Sequence, residues 1–407
     1  MNELSHYFAP GQRVFVAGSS NEPTALIEQL AAQALPPNLH FVQFPIGGYN
    51  NTDFTALHES AELTTFFMTG ALKNAAPERM HFLPMQMRWV YDYLQKDIDV
   101  ALLQVAKNRQ GELCVGPNVD FVGAVLSNAK VVLAELNLAI TAPAGCPRID
   151  PQRIDCLIES HRPLATLPAP NIDAAAAQIG AHVASLIKDG DCLQTGIGAI
   201  PAAILKQLGD RNDLGMHGGL IDDGGMALIQ AGNMTGRRKT IDVGLHVTGM
   251  ALGSPELLEW LAQTPEVAFR GADHTHEVAA IRQLDNFVSI NSAVEIDLYG
   301  QINAEFAGGR QISGTGGSVD FMRAAKSSKG GRSIVAMNAT ARGGSVSRIV
   351  PRVDMVTALR TDVDIVVTEY GIASLKHLPN SARARALIEV AAPEFRAGLE
   401  DALRAAP

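Results

Sequence analysis

The 407 residues predict an α/β chain made of two related domains, each built on an open sheet. Three observations carry this. Strand-like runs (VALLQVA, VVLAEL, SIVAMNA, DIVVTEY) alternate with segments of helical pattern, the alternation that builds a largely parallel sheet. A strand–loop–helix pattern from the first half returns in the second. Between them lies ESHRPLATLPAPN, 159–171, whose three prolines resist regular structure and mark a boundary. Length agrees, since 407 residues exceed one typical domain. The expected division is 1–165 for the first domain and 172–407 for the second.

Taken in order, RVFVAG (13–18) reads as a strand, SSNEP as a loop and TALIEQLAAQAL as a helix. The same pattern recurs 178 residues later as DCLQTG, IGAIP and AAILKQL. Gly18 matches Gly196, Pro23 matches Pro201, Ala25 matches Ala203, and Gln29–Leu30 match Gln207–Leu208. A second correspondence runs at an offset of 234, pairing Val119–Asp120 with Val353–Asp354, Val122 with Val356 and Glu135 with Glu369. The offsets differ by 56 residues, so the second half carries inserted material, about 209–330. The repeat supplies scaffold, and the insertion is expected to supply chemistry. After Pro379 the chain reads as C-terminal helix, broken near Pro393.

Composition narrows the function classes. Apolar residues make up 47%, enough for sizeable cores, and charged residues only 18%. A net charge of −9 argues against a nucleic-acid binder, which would carry a basic face, but leaves room for a phosphorylated ligand. Cys114, Cys146, Cys156 and Cys192 form no C-x-x-C pair, which suits a reducing cytosol better than a zinc or disulfide framework. MNELSHYFAP lacks the basic and apolar regions of a signal peptide. No apolar run reaches the ~18–20 residues that span a bilayer. The expectation is a soluble cytoplasmic enzyme with no nucleic-acid and no membrane partner.

The chemistry concentrates in 286–321. Phe287 to Ile290 leans to strand and leads into Glu295, with Asp297 two positions on and the glycine-dense loop Ser313 to Asp320 after it. Gly314, Gly316 and Gly317, followed by Ser318, let backbone N–H groups close around a phosphate or an oxyanion. A second anion-binding candidate is GIGAIP (196–201), where Gly196, Ile197 and Gly198 join a strand to a helix. It lacks the third glycine and acidic partner of a dinucleotide site, and from the residues alone a structural tight turn is the better reading. GRRK (236–239), Lys326, Lys329 and Arg332 would suit phosphates, or else form solvated charged faces. In ADHTHE, His274 and His276 beside Asp273 and Glu277 would suit a divalent metal if they lay on a strand. No further ligand set is recognisable, so a polar loop and no metal are expected.

SINSAVEIDLYGQINAE (289–305) and SGTGGSVDF (313–321) resemble signature blocks of the acetyl-CoA hydrolase/transferase family, of the 4-hydroxybutyrate CoA-transferase type. The likeness extends over nearly the whole chain, through DIDVALLQVAKNRQGELCVGPNVDF, AKVVLAELN, TGIGAIPAAIL, GRRKTIDVG, ALGSPELLEW and DVDIVVTEYGIASL. It implies a tandem like that of class I CoA-transferases, with the active site in a cleft between the domains. The substrate would be an acyl-CoA, its pantetheine arm running toward Gly316 and Gly317, with a small carboxylic acid as possible acceptor. No cofactor is implied beyond coenzyme A as part of the substrate. Family likeness also implies a homodimer or larger assembly. By the same likeness, the 313–321 loop donates backbone hydrogen bonds to the thioester oxygen.

One departure matters. The family's nucleophilic Glu follows a His and a small hydroxyl residue, in a turn of the form H-[S/T]-E-x-x-x-D-G. Here the turn is His217-Gly218-Gly219-Leu220-Ile221-Asp222-Asp223-Gly224, and Gly219 stands at the Glu position. Glycine has no side chain with which to attack. Three readings stay open. The register is slipped and Glu295 is the nucleophile of a true CoA-transferase, although the family's Glu at this position also suits a supporting role. Or water attacks, with Glu295, Asp222, Asp223 or His217 as base, in an acyl-CoA or C–C hydrolase. Or the chain is a catalytically silent CoA-ester-binding subunit or sensor. The expectation is an enzyme of acetyl-CoA hydrolase/CoA-transferase type, leaning to hydrolysis without a glutamyl-CoA intermediate. Its catalytic candidates are Glu295, His217 and Asp223.

Overall fold

The structure is a computed structural model that describes residues 4–166 and 168–405. The chain forms two compact units. One runs to Pro168 and also takes in Val247–Thr275; the other comprises Ala169–His246 and the chain from His276 onward.

The first unit is built on a parallel sheet. From one edge its strands are Met80–Phe82, Glu62–Thr65, His40–Gln43, Arg13–Val16, Val100–Lys107, Val131–Thr141 and Cys156–Ser160. A short strand, Leu113–Cys114, pairs antiparallel with Val100–Lys107. Strands of such a sheet are covered on both faces, which is why VALLQVA is buried throughout and, apart from Gln104, apolar rather than alternating. Register places Val14 beside Phe41 and Val100, and Phe41 beside Leu63, so these side chains share one face. The helix Thr24–Ala31 covers that face through Leu26 and Leu30. Its start is held by Glu135, a fully buried carboxylate that accepts the Ala25 N–H at 2.7 Å. A negative group there satisfies an otherwise orphaned donor.

In the second unit the parallel strands are Gly215–Met216, Cys192–Gln194, Phe287–Asn291, Arg332–Ala336 and Ile365–Thr368, in that order. Gly371–Ser374 closes the edge antiparallel. The two sheets are not superposable strand for strand. Arg13–Val16 lies two places from Val131–Thr141, whereas their sequence counterparts Cys192–Gln194 and Ile365–Thr368 lie three places apart. The extra strand is Phe287–Asn291, so the inserted stretch contributes to the sheet itself. Glu369, the counterpart of Glu135, also binds a backbone N–H, that of Ala339 at 2.8 Å.

The observed division differs from a cut between 165 and 172. Val247–Thr275, in the middle of the inserted stretch, joins the first unit through backbone pairing. Val119 N–H donates to Gly249 O, Ala251 N–H to Pro117 O, and Ala272 N–H to Asp120 O, each at 2.8 Å. These bonds link positions far apart in sequence, where composition carries no signal. Elsewhere the local reading matches the structure. The C-terminal helix divides into Asn380–Glu389 and Pro393–Ala405. Residues 161–173, apart from 167, which lies outside the described residues, have no regular structure. No helix among the described residues is long and apolar enough to cross a membrane.

Candidate active site

In the second unit, Cys192–Gln194, Phe287–Asn291 and Arg332–Ala336 end on the same side of the parallel sheet. Beyond these carboxyl ends lies a cavity of about 320 Å³ whose wall includes Gly196, Ile197, Asn291, Ser292, Asn338 and Arg348. That end of a parallel sheet is where ligands of open α/β folds collect.

Gln194 and Asn291 close neighbouring strands and exchange amide hydrogen bonds, Nδ2 of Asn291 to Oε1 of Gln194 at 3.1 Å and Nε2 of Gln194 to Oδ1 of Asn291 at 3.4 Å. The chain then turns through Gly196–Gly198 into the helix Ala199–Lys206. Gly198 has φ +110° and ψ −173°, a conformation essentially restricted to glycine. Gly198→Ala is therefore expected to cost about 1–3 kcal/mol, seen as a lower urea midpoint with an unchanged m-value. The first turn of that helix forms part of the cavity wall. Its free N–H groups and dipole favour a negative group there.

Arg348 supplies the formal charge. Its Nε donates to Val294 O at 2.8 Å, and Nη2 donates to Ala293 O. Burial pulls its pKa below the usual arginine value, and Glu295, then Glu369, oppose that pull. Glu295 opens the strand Glu295–Asp297 and is half-buried. Its carboxylate accepts a hydrogen bond from Nδ2 of Asn303 at 3.2 Å. Asp297 is fully buried and ties a turn, accepting the N–H groups of Tyr299 at 3.0 Å and Gln301 at 2.9 Å. The two carboxylates thus differ in role, since only Glu295 belongs to the electrostatic surroundings of Arg348.

The glycine loop is anchored by a residue given no role on sequence grounds, Glu305. This buried carboxylate accepts from Nε2 of Gln311 at 2.7 Å, Oγ1 of Thr357 at 2.8 Å and Oγ1 of Thr315 at 3.4 Å. Its backbone O accepts the Ile312 N–H at 2.8 Å. Gly314 is buried, Gly316 takes the left-handed conformation at φ +56°, and Gly317 caps the helix Ser318–Ser327. Ser318 folds its Oγ back onto Thr315 O at 2.9 Å. The loop therefore presents a glycine turn ahead of a helix N-terminus, and that helix begins at Ser318, inside the stretch read as loop from the sequence.

The 217–224 turn follows the strand Gly215–Met216. His217 N–H continues the parallel pairing to Leu193 O at 3.0 Å, and its buried ring stands edge-on to Phe287, 6.4 Å between centroids. Gly218 lies over Gln194: a Cβ there would be 3.1 Å from its Cγ. Asp222 caps the helix Asp223–Gln230 by accepting the Gly225 N–H at 2.9 Å, and burial raises its pKa. Asp223, half-buried, is that helix's first residue.

The turn and the glycine loop meet at His276. A Cβ at Gly219 would lie 2.9 Å from its Cε1, and one at Gly317 only 2.4 Å from its Nε2. The imidazole lies 4.5 Å from the Phe321 ring, centroid to centroid, and is 1% exposed. Burial lowers its pKa to about 3, so it is neutral at ordinary pH. This corrects the polar-loop expectation for 274–276. The slot that admits the ring is made by two glycines about a hundred residues apart, which the sequence does not display.

The structure thus groups Gly196 and Ile197 with Asn291 and Arg348, sets Glu295 in the field of Arg348, and joins Gly219 to Gly317 through His276. The basic residues proposed for phosphates are engaged elsewhere. Arg237 and Arg238 pair with Asp213 at 3.1 and 3.3 Å, Lys326 Nζ donates to Thr361 O at 2.6 Å, and Lys329 lies 3.5 Å from Asp285. Lys239 Nζ donates to Leu245 O at 2.6 Å, and Arg332 pairs with Asp191. Sequence reasoning missed Glu305, Asn291 and Arg348. Glu305 and Asn291 fall inside SINSAVEIDLYGQINAE, whereas nothing local distinguishes Arg348.

Comparison with known proteins gives concordant results. Residues 253–403 match the acetyl-CoA hydrolase/transferase C-terminal domain. The chain is 42% identical over 306 residues to the 4-hydroxybutyrate coenzyme A transferase of Clostridium kluyveri, covering 74% of this chain and 71% of that protein. It is 26% identical over 347 residues to the acetyl-CoA hydrolase of Neurospora crassa, covering 74% of this chain and 65% of that one. The crystal structure of RipA from Yersinia pestis superimposes with a TM-score of 0.91 at 31% identity, over 98% of this chain and 96% of that chain.

Proposed function

Since this chain belongs to the acetyl-CoA hydrolase/transferase family, we propose that it cleaves an acyl-CoA thioester with water and forms no glutamyl-CoA intermediate. The observation that carries this reading is Gly219. It offers no attacking group, and the space its side chain would enter is taken up by His276, 2.9 Å from the Cβ position.

In this reading the acyl-CoA lies across the carboxyl ends of the second sheet. The 196–198 turn, the N-terminus of Ala199–Lys206 and Arg348 provide an electropositive wall for its polar groups. Backbone N–H groups of the Gly314–Ser318 loop receive the negative charge that develops on the thioester oxygen. Glu295 is the proposed base, with Asp223 and His217 as the other candidates. Water gives a proton to the carboxylate as its oxygen bonds to the thioester carbon. The C–S bond then breaks, and the leaving CoA thiolate takes up the proton. The hydrogen bond from Asn303 orients Glu295 for this role, and Arg348 lies within its electrostatic surroundings.

A second reading, transfer of CoA between carboxylic acids with Glu295 as nucleophile, draws support from Arg348, a fitting partner for an acceptor carboxylate. Free-thiol release from a panel of acyl-CoAs, with and without acetate or succinate, separates the two. Hydrolysis predicts release without added acid, and no inactivation by borohydride. Formation of the CoA thioester of the added acid with no net release of thiol, together with borohydride inactivation only in the presence of acyl-CoA, would establish the transferase instead.

A further inference from the structure

The two glycines around His276 are glycine for an unusual reason. Neither Gly219 nor Gly317 has a positive φ, so the backbone at both positions tolerates a side chain. What excludes one is the imidazole, with atoms 2.9 and 2.4 Å from the two Cβ positions. Real Cβ contacts do not fall so short, and this ring has little freedom to retreat. It is buried, packed at a tilt against Phe321, and Phe321 in turn lies 6.4 Å from Phe287, which backs His217. A close-packed interior transmits such a displacement instead of absorbing it. Nor would the imidazole, held neutral by burial, supply a charge to a carboxylate placed beside it.

We infer that His276 and Gly219 are a coupled pair: the imidazole occupies the place of the side chain that position 219 lacks, and as a positioning residue it sets the 217–219 turn against the glycine loop while closing that turn to a carboxylate nucleophile. The steric half of this inference stands on the packing alone. The catalytic half rests on the acyl-CoA reading above. A Glu returned to position 219 can work only when the ring at 276 is removed. Its carboxylate would then attack the thioester carbonyl and expel CoA thiolate to give a mixed anhydride. The thiolate would next attack the glutamyl carbonyl, releasing the acyl group as its carboxylate and leaving CoA bound to the protein as a thioester.

The test uses four full-length proteins: wild type, Gly219→Glu, His276→Ala and the double variant. In urea unfolding, each single change should lower the midpoint, and the double variant should lie above Gly219→Glu. Additive losses would overturn the pairing. Should Gly219→Glu fail to fold, Gly219→Ala alone and combined with His276→Ala poses the same question with a smaller side chain. In the second measurement the four proteins are incubated with acetyl-CoA and weighed by mass spectrometry. A covalent CoA adduct on the peptide containing position 219 is expected in the double variant alone. An adduct in Gly219→Glu with His276 intact would show that the ring closes nothing, and would end the inference. Coupled stability with no adduct in any protein would leave the pairing standing and count against the acyl-CoA reading of the site.

Discussion

Replacing Glu305 by alanine is expected to lower thiol release from acyl-CoA by about 100-fold, the scale on which small misplacements of catalytic groups act. Glu305 contributes no proposed step of the chemistry. It gathers Gln311, Thr315 and Thr357 on one carboxylate and thereby holds the chain entering the glycine turn. Truncation removes three hydrogen bonds at once from donors with restricted access to water. Each donor left unsatisfied costs about 1–3 kcal/mol, so a lower urea midpoint should accompany the kinetic loss. Glu305→Gln keeps the shape but turns an amide NH2 toward donors, and should fall between wild type and alanine. The decisive comparison is kcat/KM against stability across the two variants. Lowered stability with undiminished turnover would mean that the glycine loop is remote from the reacting thioester.

A second large effect is expected in the first unit, at Asp120. This side chain is 2% exposed, its Oδ1 has no hydrogen-bond partner among the described residues, and burial pushes its pKa up to about 8. It is therefore a neutral acid in the folded protein at pH 7. The unfolded chain releases the same proton near the ordinary carboxylate value of about 4. Between these two values the native state holds more protons than the unfolded state, so stability is fully present below about pH 4 and falls as pH rises toward 8. Integrated over that window, the loss reaches at most about 5 kcal/mol. Asp120→Asn carries no ionisable group and should remove this slope. Measured in urea at pH 5 and pH 8, the variant should gain on wild type as pH rises. Parallel pH profiles for the two proteins would show that Asp120 is not buried as an acid.

Much of the scaffold was legible in the residues because the responsible forces are local. Strand-like runs such as VALLQVA and Phe287–Ile290 are mostly apolar since a parallel sheet covers both of their faces. Gly198 and Gly316 are legible as turns because their φ values, +110° and +56°, are costly for other residues. The repeat was visible too, through matched positions such as Gly18 and Gly196. Gly219 shows by itself that this position offers no side chain that could attack.

The tertiary structure decided matters that no local pattern encodes. It carried Val247–Thr275 over to the first unit through backbone bonds between distant segments. It distinguished Glu295, set in the field of Arg348, from Asp297, which is spent on tying a turn. It gave Glu305 its loop and Arg348 its cavity. Above all, it put one imidazole against two glycines from separate loops. The physical reason is common to these cases. Periodicity and turn conformation depend on neighbours along the chain, whereas close packing depends on which surfaces folding brings together. The sequence alone could therefore say what Gly219 lacks, and only the folded chain could say what stands in its place.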